Sequence, residues 1–134
     1  MKKHTIDLPI AARDAIRAWG FSDAEGRRLD TMTGKSGIVV RHIGTTVSSA
    51  YYSGERTLRY VYQVVSRRTS AAQAMEEVAT IAYMMEHMPL TSSNGSFRCI
   101  DQEIYTEPHE IAVDDSGYHV WAVGFVAEIV PNSR

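Results

Sequence analysis

Residues 70–88 constrain the fold more than any other stretch. Ser70 followed by Gln73 is a capping-box pattern, in which each side chain can satisfy a backbone N–H left over at a helix start. Beyond it Ala71, Ala74, Met75, Val78, Ile81, Ala82, Met85 and Met88 recur at three- and four-residue spacing, forming one apolar stripe. Gln73, Glu76, Glu77 and Thr80 fall elsewhere, and Pro89 stops the helix near Met88. A stripe this long needs a sheet or another helix to bury it. Thr57–Ser66 supplies a strand, with Leu58, Tyr60, Tyr62 and Val64 on one face and Arg59, Val61, Gln63 and Val65 on the other. Tyr118–Val130 is the longest β run, with Trp121, Val123, Phe125 and Ile129 on one face; Pro131 ends it and leaves 131–134 as a loose tail.

The remaining elements follow from turn chemistry and periodicity. Residues 8–19 read as a short helix with Asp7 as N-cap, Pro9 in the first turn, Ala12, Ile16 and Trp19 on one side, Arg13 and Arg17 on the other, and Gly20 as the stop. Residues 22–37 are polar and glycine-rich and read as a loop. Ile38–Ile43 is a β-branched strand, and 44–55 is a continuing strand, an extended arm or a hairpin. Thr91–Ser96 and Asp114–Gly117 are turns. Phe97–Thr106 is a strand in which Cys99, Asp101 and Glu103 alternate with Ile100, Gln102 and Ile104; Pro108 closes it, and Ile111–Val113 can make a short strand or a bridge. The order helix, strand, strand, helix, strand, strand predicts an α+β fold: a mainly antiparallel sheet of about four strands with two helices packed on one face. At 134 residues and 15.0 kDa, the chain 1–134 is expected to be a single domain.

Composition excludes some classes. The single cysteine, Cys99, rules out a disulfide scaffold. No apolar run approaches the ~18 residues of a membrane span, and Met-Lys-Lys-His leads to no signal-peptide core, so a soluble intracellular protein with no membrane partner is expected. The net charge of −2 conceals a division. Residues 1–68 hold 12 of the 14 basic and 6 of the 16 acidic side chains; residues 69–134 hold the other two basic and ten acidic ones. Either the halves interleave and neutralise each other within one copy, or they sit on opposite flanks. In the second case copies can join head to tail, a heterologous contact that closes into rings or runs on as filaments.

No catalytic signature emerges. His4, His42, His87, His109 and His119 are scattered without ligand spacing, and Asp101 and Glu103 on one strand face are explained by solvation as well as by acid–base chemistry. Gly34-Lys35-Ser36 fails as a phosphate loop because the required first glycine would be Leu29. Arg56, Arg59, Arg67 and Arg68 interleaved with Tyr60 and Tyr62 are what a single-strand-binding surface would need, unless the tyrosines lie in the core. Tyr51 and Tyr52 beside Gly54 suit interface anchors, since tyrosine joins a large apolar area to few rotors.

Taken together, the strand Leu58–Ser66, the Thr69-Ser70-capped helix opening Ala-Ala-Gln-Ala-Met, the Glu107-Pro108 link, Asp114-Asp115-Ser116-Gly117-Tyr118 and the final strand resemble one family over roughly residues 1–130. It is the tail-terminator or minor-capsid family of long-tailed, siphovirus-type bacteriophages. The resemblance implies a non-enzymatic virion protein with no cofactor or metal, made in the host cytoplasm. Such a protein forms a ring, commonly a hexamer, on the tail tube at the head–tail junction, stops tube growth and meets head-completion or connector proteins, while DNA passes only through the lumen. On that footing Arg41, Arg56 and Arg59 would face Glu107, Glu110 and Asp114 of the next copy, Tyr51 and Tyr52 would anchor the contact, and Asp101 and Glu103 would line the lumen. The alternatives are another head–tail joining protein, such as a head-closure or connector component, or a small-molecule-binding α+β domain or enzyme using the histidines.

Overall fold

A computed structural model of the chain describes residues 6–25, 36–50, 56–88, 90–92, 94–113 and 117–131. Helix α1 (Leu8–Ala18) is followed by strands β1 (Ala24–Glu25), β2 (Gly37–Ala50) and β3 (Arg56–Arg68), helix α2 (Ala71–His87), and strands β4 (Phe97–Val113) and β5 (His119–Pro131). They form one sheet in the order β1-β2-β3-β5-β4. All pairings are antiparallel except the two-residue contact of β1 with Ile38 and Val39. The expected α+β class is therefore observed, and the expected loop at 22–37 contributes the additional strand β1.

Both helices bury their apolar stripes on the same sheet face. Leu8, Ala11, Ala12 and Ile16 of α1 join Val78, Ile81, Ala82 and Met85 of α2 over Ile38, Val40, Tyr60, Tyr62, Val64, Val123, Phe125 and Ile129. The rings of Tyr62 and Phe125 stack at 5.2 Å, and His42 stacks on Tyr60 at 4.2 Å. Each fully buried aliphatic or aromatic side chain stabilises the fold by about 1.5–3 kcal/mol. Ser70 accepts the N–H of Gln73 as the sequence predicts, but the Gln73 side chain turns to Glu77, so only half of the capping box forms. The stripe is also narrower than expected: Met75 and Met88 are exposed.

Asp7 departs from its expected role. It stands at the N-cap position without a side-chain cap bond. Its carboxylate instead accepts from Ser92 Oγ (2.6 Å), Ser96 Oγ (3.1 Å) and the Asn94 N–H (3.0 Å), tying the start of α1 to the turn before β4. A local cap offers one or two N–H groups at the helix start, whereas this turn offers three donors from a distant segment.

The largest difference lies in β4. Pro108 does not end the strand, which runs unbroken to Val113 as a sheet edge. Proline is tolerated there because an edge strand needs ladder bonds on one side only. Register shifts fall between Cys99 and Asp101, Ile104 and Thr106, Thr106 and His109, and Glu110 and Ala112. Each odd insertion reverses which side chains face the helices. Cys99 therefore packs on the helix side while Asp101 and Glu103 point to the opposite, open face, so the expected alternation breaks at Ile100. Replacing Ile81 with alanine should cost about 2–5 kcal/mol of unfolding free energy, measured in urea, because the cavity lies under α2. The same change at exposed Met75 should stay within about 0.5 kcal/mol.

Candidate functional site

On the open face the strands set side chains in rows. Arg59 of β3 lies opposite Glu128 of β5, which lies opposite Asp101 of β4; in the next row are Val61, Val126 and Glu103. Arg59, Asp101, Glu103, Val126 and Glu128 enclose a shallow, half-open hollow of about 350 Å³. Asp101 and Glu103 thus do share one face, as the sequence suggests, but they share it with Arg59, which the sequence reading assigns to a different surface. Further along, Val65, Val120 and Ala122 form a small apolar cluster.

Among the described residues the core alternative for Tyr60 and Tyr62 is the one observed, and no arginine–tyrosine stacking surface forms. Tyr60 and Tyr62 are buried on the helix face, so neither can stack on a base. Arg67 is buried with its guanidinium 4.3 Å over the Tyr118 ring. Arg68 donates to Asp23 Oδ2 (2.7 Å) and Glu77 Oε1 (2.8 Å), joining α2 to the segment after α1. Burial opposes the charge on Arg68, but hydrogen bonds and charge from Asp23 and Glu77 outweigh it and hold the guanidinium protonated.

Elsewhere the polar groups are structural. Tyr62 donates to Gln102 Oε1, and Gln102 Nε2 donates to the Met85 carbonyl (2.7 Å), which locks β4 to the last turn of α2. Burial pushes the Cys99 thiol up, with Asp101 adding to the shift against opposing backbone hydrogen bonds; this is the reverse of an activated nucleophile. Glu110 meets His119 Nδ1 at 3.1 Å within the same copy. Among the described residues no group of three or more His, Cys, Asp or Glu is placed to hold a metal ion. None of the described helices is long and apolar enough to cross a membrane.

The other sequence-derived candidates divide by location. Arg41 lies on β2 opposite Gln63, on the open face, and exposed Glu107 lies in the wide irregularity of β4. Tyr51, Tyr52, Asp114 and the side chain of Arg56 lie outside the described residues. The sheet order nevertheless sorts charge: β2 and β3 come from the basic half, β5 and β4 from the acidic half. On one side β2, covered among the described residues by β1 only at Ile38 and Val39, carries Arg41 and no carboxylate; on the other the edge strand β4 carries Asp101, Glu103, Glu107 and Glu110 against Arg98 alone.

No family model matches the sequence, and no curated protein matches it. A solved chain from the virion of a native gene transfer agent (GTA) particle shares the fold, with a TM-score of 0.54 at 14% sequence identity. The likeness covers 92% of this chain and 90% of that one.

Two outcomes follow from this geometry. Arg59→Glu would gather four carboxylates around one hollow, so it should lower monomer stability at low ionic strength by up to about 1 kcal/mol. The loss should shrink in high salt, as denaturation at two salt concentrations would show. Burial, aided by Asp7, raises the Tyr60 phenol to about 12, and burial, with smaller contributions from Cys99 and Tyr60, raises Tyr62 as well. The folded state thus holds these protons more tightly than the unfolded chain. Stability from them is intact below about pH 10 and falls as pH climbs toward 12. Absorbance titration should show exposed tyrosines ionising first, and these two only with alkaline unfolding.

Proposed function

We propose that this chain is a structural virion protein of the tail-terminator kind, a ring of copies seated on the tail tube at the head–tail junction. The observation that carries the reading is the near full-length fold likeness to a chain of a gene transfer agent virion. The family resemblance of the sequence and the opposite charge of the two sheet edges support it. Copies stand side by side in a ring, a hexamer on the family's pattern, and the helices face outward. The open faces then turn to the axis, where Asp101, Glu103 and Glu128 repel the phosphates of passing DNA while Arg59 moderates their mutual repulsion. Charge on the flanks orients neighbouring copies more than it binds them, since an exposed ion pair contributes only about 0–1 kcal/mol. Arg41, Arg56, Glu107, Glu110 and Asp114 serve that orienting role, and Tyr51 and Tyr52 add apolar contact. The tail tube protein is the partner on one side and a head-completion or connector protein on the other. No catalysis is involved.

Deleting the gene in cells that make the particle tests this, with electron microscopy of the products. The expected result is tails of uncontrolled length together with heads that carry none. Tails of normal length that fail to join heads would move the protein to a head-closure role. Normal particles would overturn the virion reading altogether.

A further inference from the structure

Most ladder irregularities of β2 and β4 share a chemical property that simple alternation does not require. Six register shifts interrupt these strands: in β2 at Ile43 and between Val47 and Ser49, and in β4 at Ile100, at Tyr105, between Thr106 and His109, and at Ile111. At four of the six the extra residue is large and apolar, and the exposures of Ile43, Ile100, Tyr105 and Ile111 run from 41% to 62%. A bulge residue has no partner across the ladder, and the exposure of these four side chains keeps them off the protein's own core. Exposed Val47 on β2 and Val113 on β4 extend the two sets. Isolated exposed apolar residues need no explanation, but rows of them on two edges of opposite charge do.

We propose that the outer edge of β4 docks on the outer edge of β2, beyond its short contact with β1, in a second copy of this chain. Ile100, Tyr105 and Ile111 are the apolar anchors on one side, with Ile43 and Val47 on the other. The contact presupposes the head-to-tail ring proposed above and names the surfaces that build it. Charge selects the orientation: the carboxylates of β4 meet the edge that carries Arg41, whereas β4 against β4 would set carboxylate against carboxylate. The bulges also shape the contact. They break the regular row of backbone donors and acceptors, which opposes indiscriminate strand addition, and leave exposed apolar side chains beside the edge. The result is a side-chain interface with a fixed partner rather than an endless sheet.

The test uses the full chain with Ile43→Asp and Tyr105→Asp made separately, both checked for an unchanged urea midpoint. Particle mass is measured by light scattering across concentration. A head-to-tail contact predicts that wild type assembles and that each variant alone associates at least about tenfold more weakly. An equimolar mixture of the two should form a one-to-one dimer and nothing larger, because only one intact pair of edges remains. Val47→Asp and Ile111→Asp repeat the experiment should either first variant fold poorly. Unimpaired assembly of both variants, or of Ile43→Asp alone, would overturn the proposal, as would a wild type that stays monomeric at every concentration. The tail-length phenotype of the deletion is read independently, so the docking geometry can fail while the virion role stands.

Discussion

The antiparallel pairing of β3 with β5 is the interaction on which the rest depends. It is the junction between the strands of the first half of the chain and those of the second, running from Leu58 opposite Ile129 to Arg68 opposite His119. Its helix face carries Tyr60, Tyr62, Val64, Val123, Phe125 and Ile129, the floor on which α2 lies. Shifting the register by one residue would exchange this floor for Arg59, Gln63 and Glu128 and leave the α2 stripe without an apolar surface. The pairing is therefore specified twice, by the ladder and by the helix above it.

That junction also governs electrostatics. Because β2 and β3 lie together on one side of it and β4 on the other, the division of charge along the sequence becomes a division across the sheet. Neutralisation happens where elements of the two halves touch: Arg68 with Glu77 at the helix, and Arg59 in line with Glu128 and Asp101 on the open face. Away from that seam the edges keep their own sign. Among the described residues, charge is thus balanced at the seam and differs in sign between β2 and β4.

The edges answer a general problem of open sheets. An unprotected outer strand invites pairing with any other strand. Here β4 is long, acidic and repeatedly bulged, and its proline occupies a position only an edge permits. The same irregularities that discourage continuation of the ladder present Ile100, Tyr105 and Ile111 outward. Protection against arbitrary partners and presentation to one partner come from the same backbone feature.

Periodicity alone was enough to read α2, the two faces of β3 and β5, the stop at Gly20 and the α+β class, because burial on one side of a regular element leaves a mark at every third, fourth or second residue. The backbone of Gly20, at φ +109°, shows the reason for that stop: left-handed geometry costs glycine least. Strict alternation failed in β4, since each bulge resets the phase and nothing local in Ile100 or Tyr105 announces one. Only the tertiary structure decided that Asp7 would bind the turn at 92–96 rather than cap its own helix, and that Arg59 would share a hollow with Asp101 and Glu103. Such contacts join residues far apart in the chain, and their energies depend on which strands become neighbours. Composition along the sequence determined how much charge each half carries; the strand order decided where that charge is displayed.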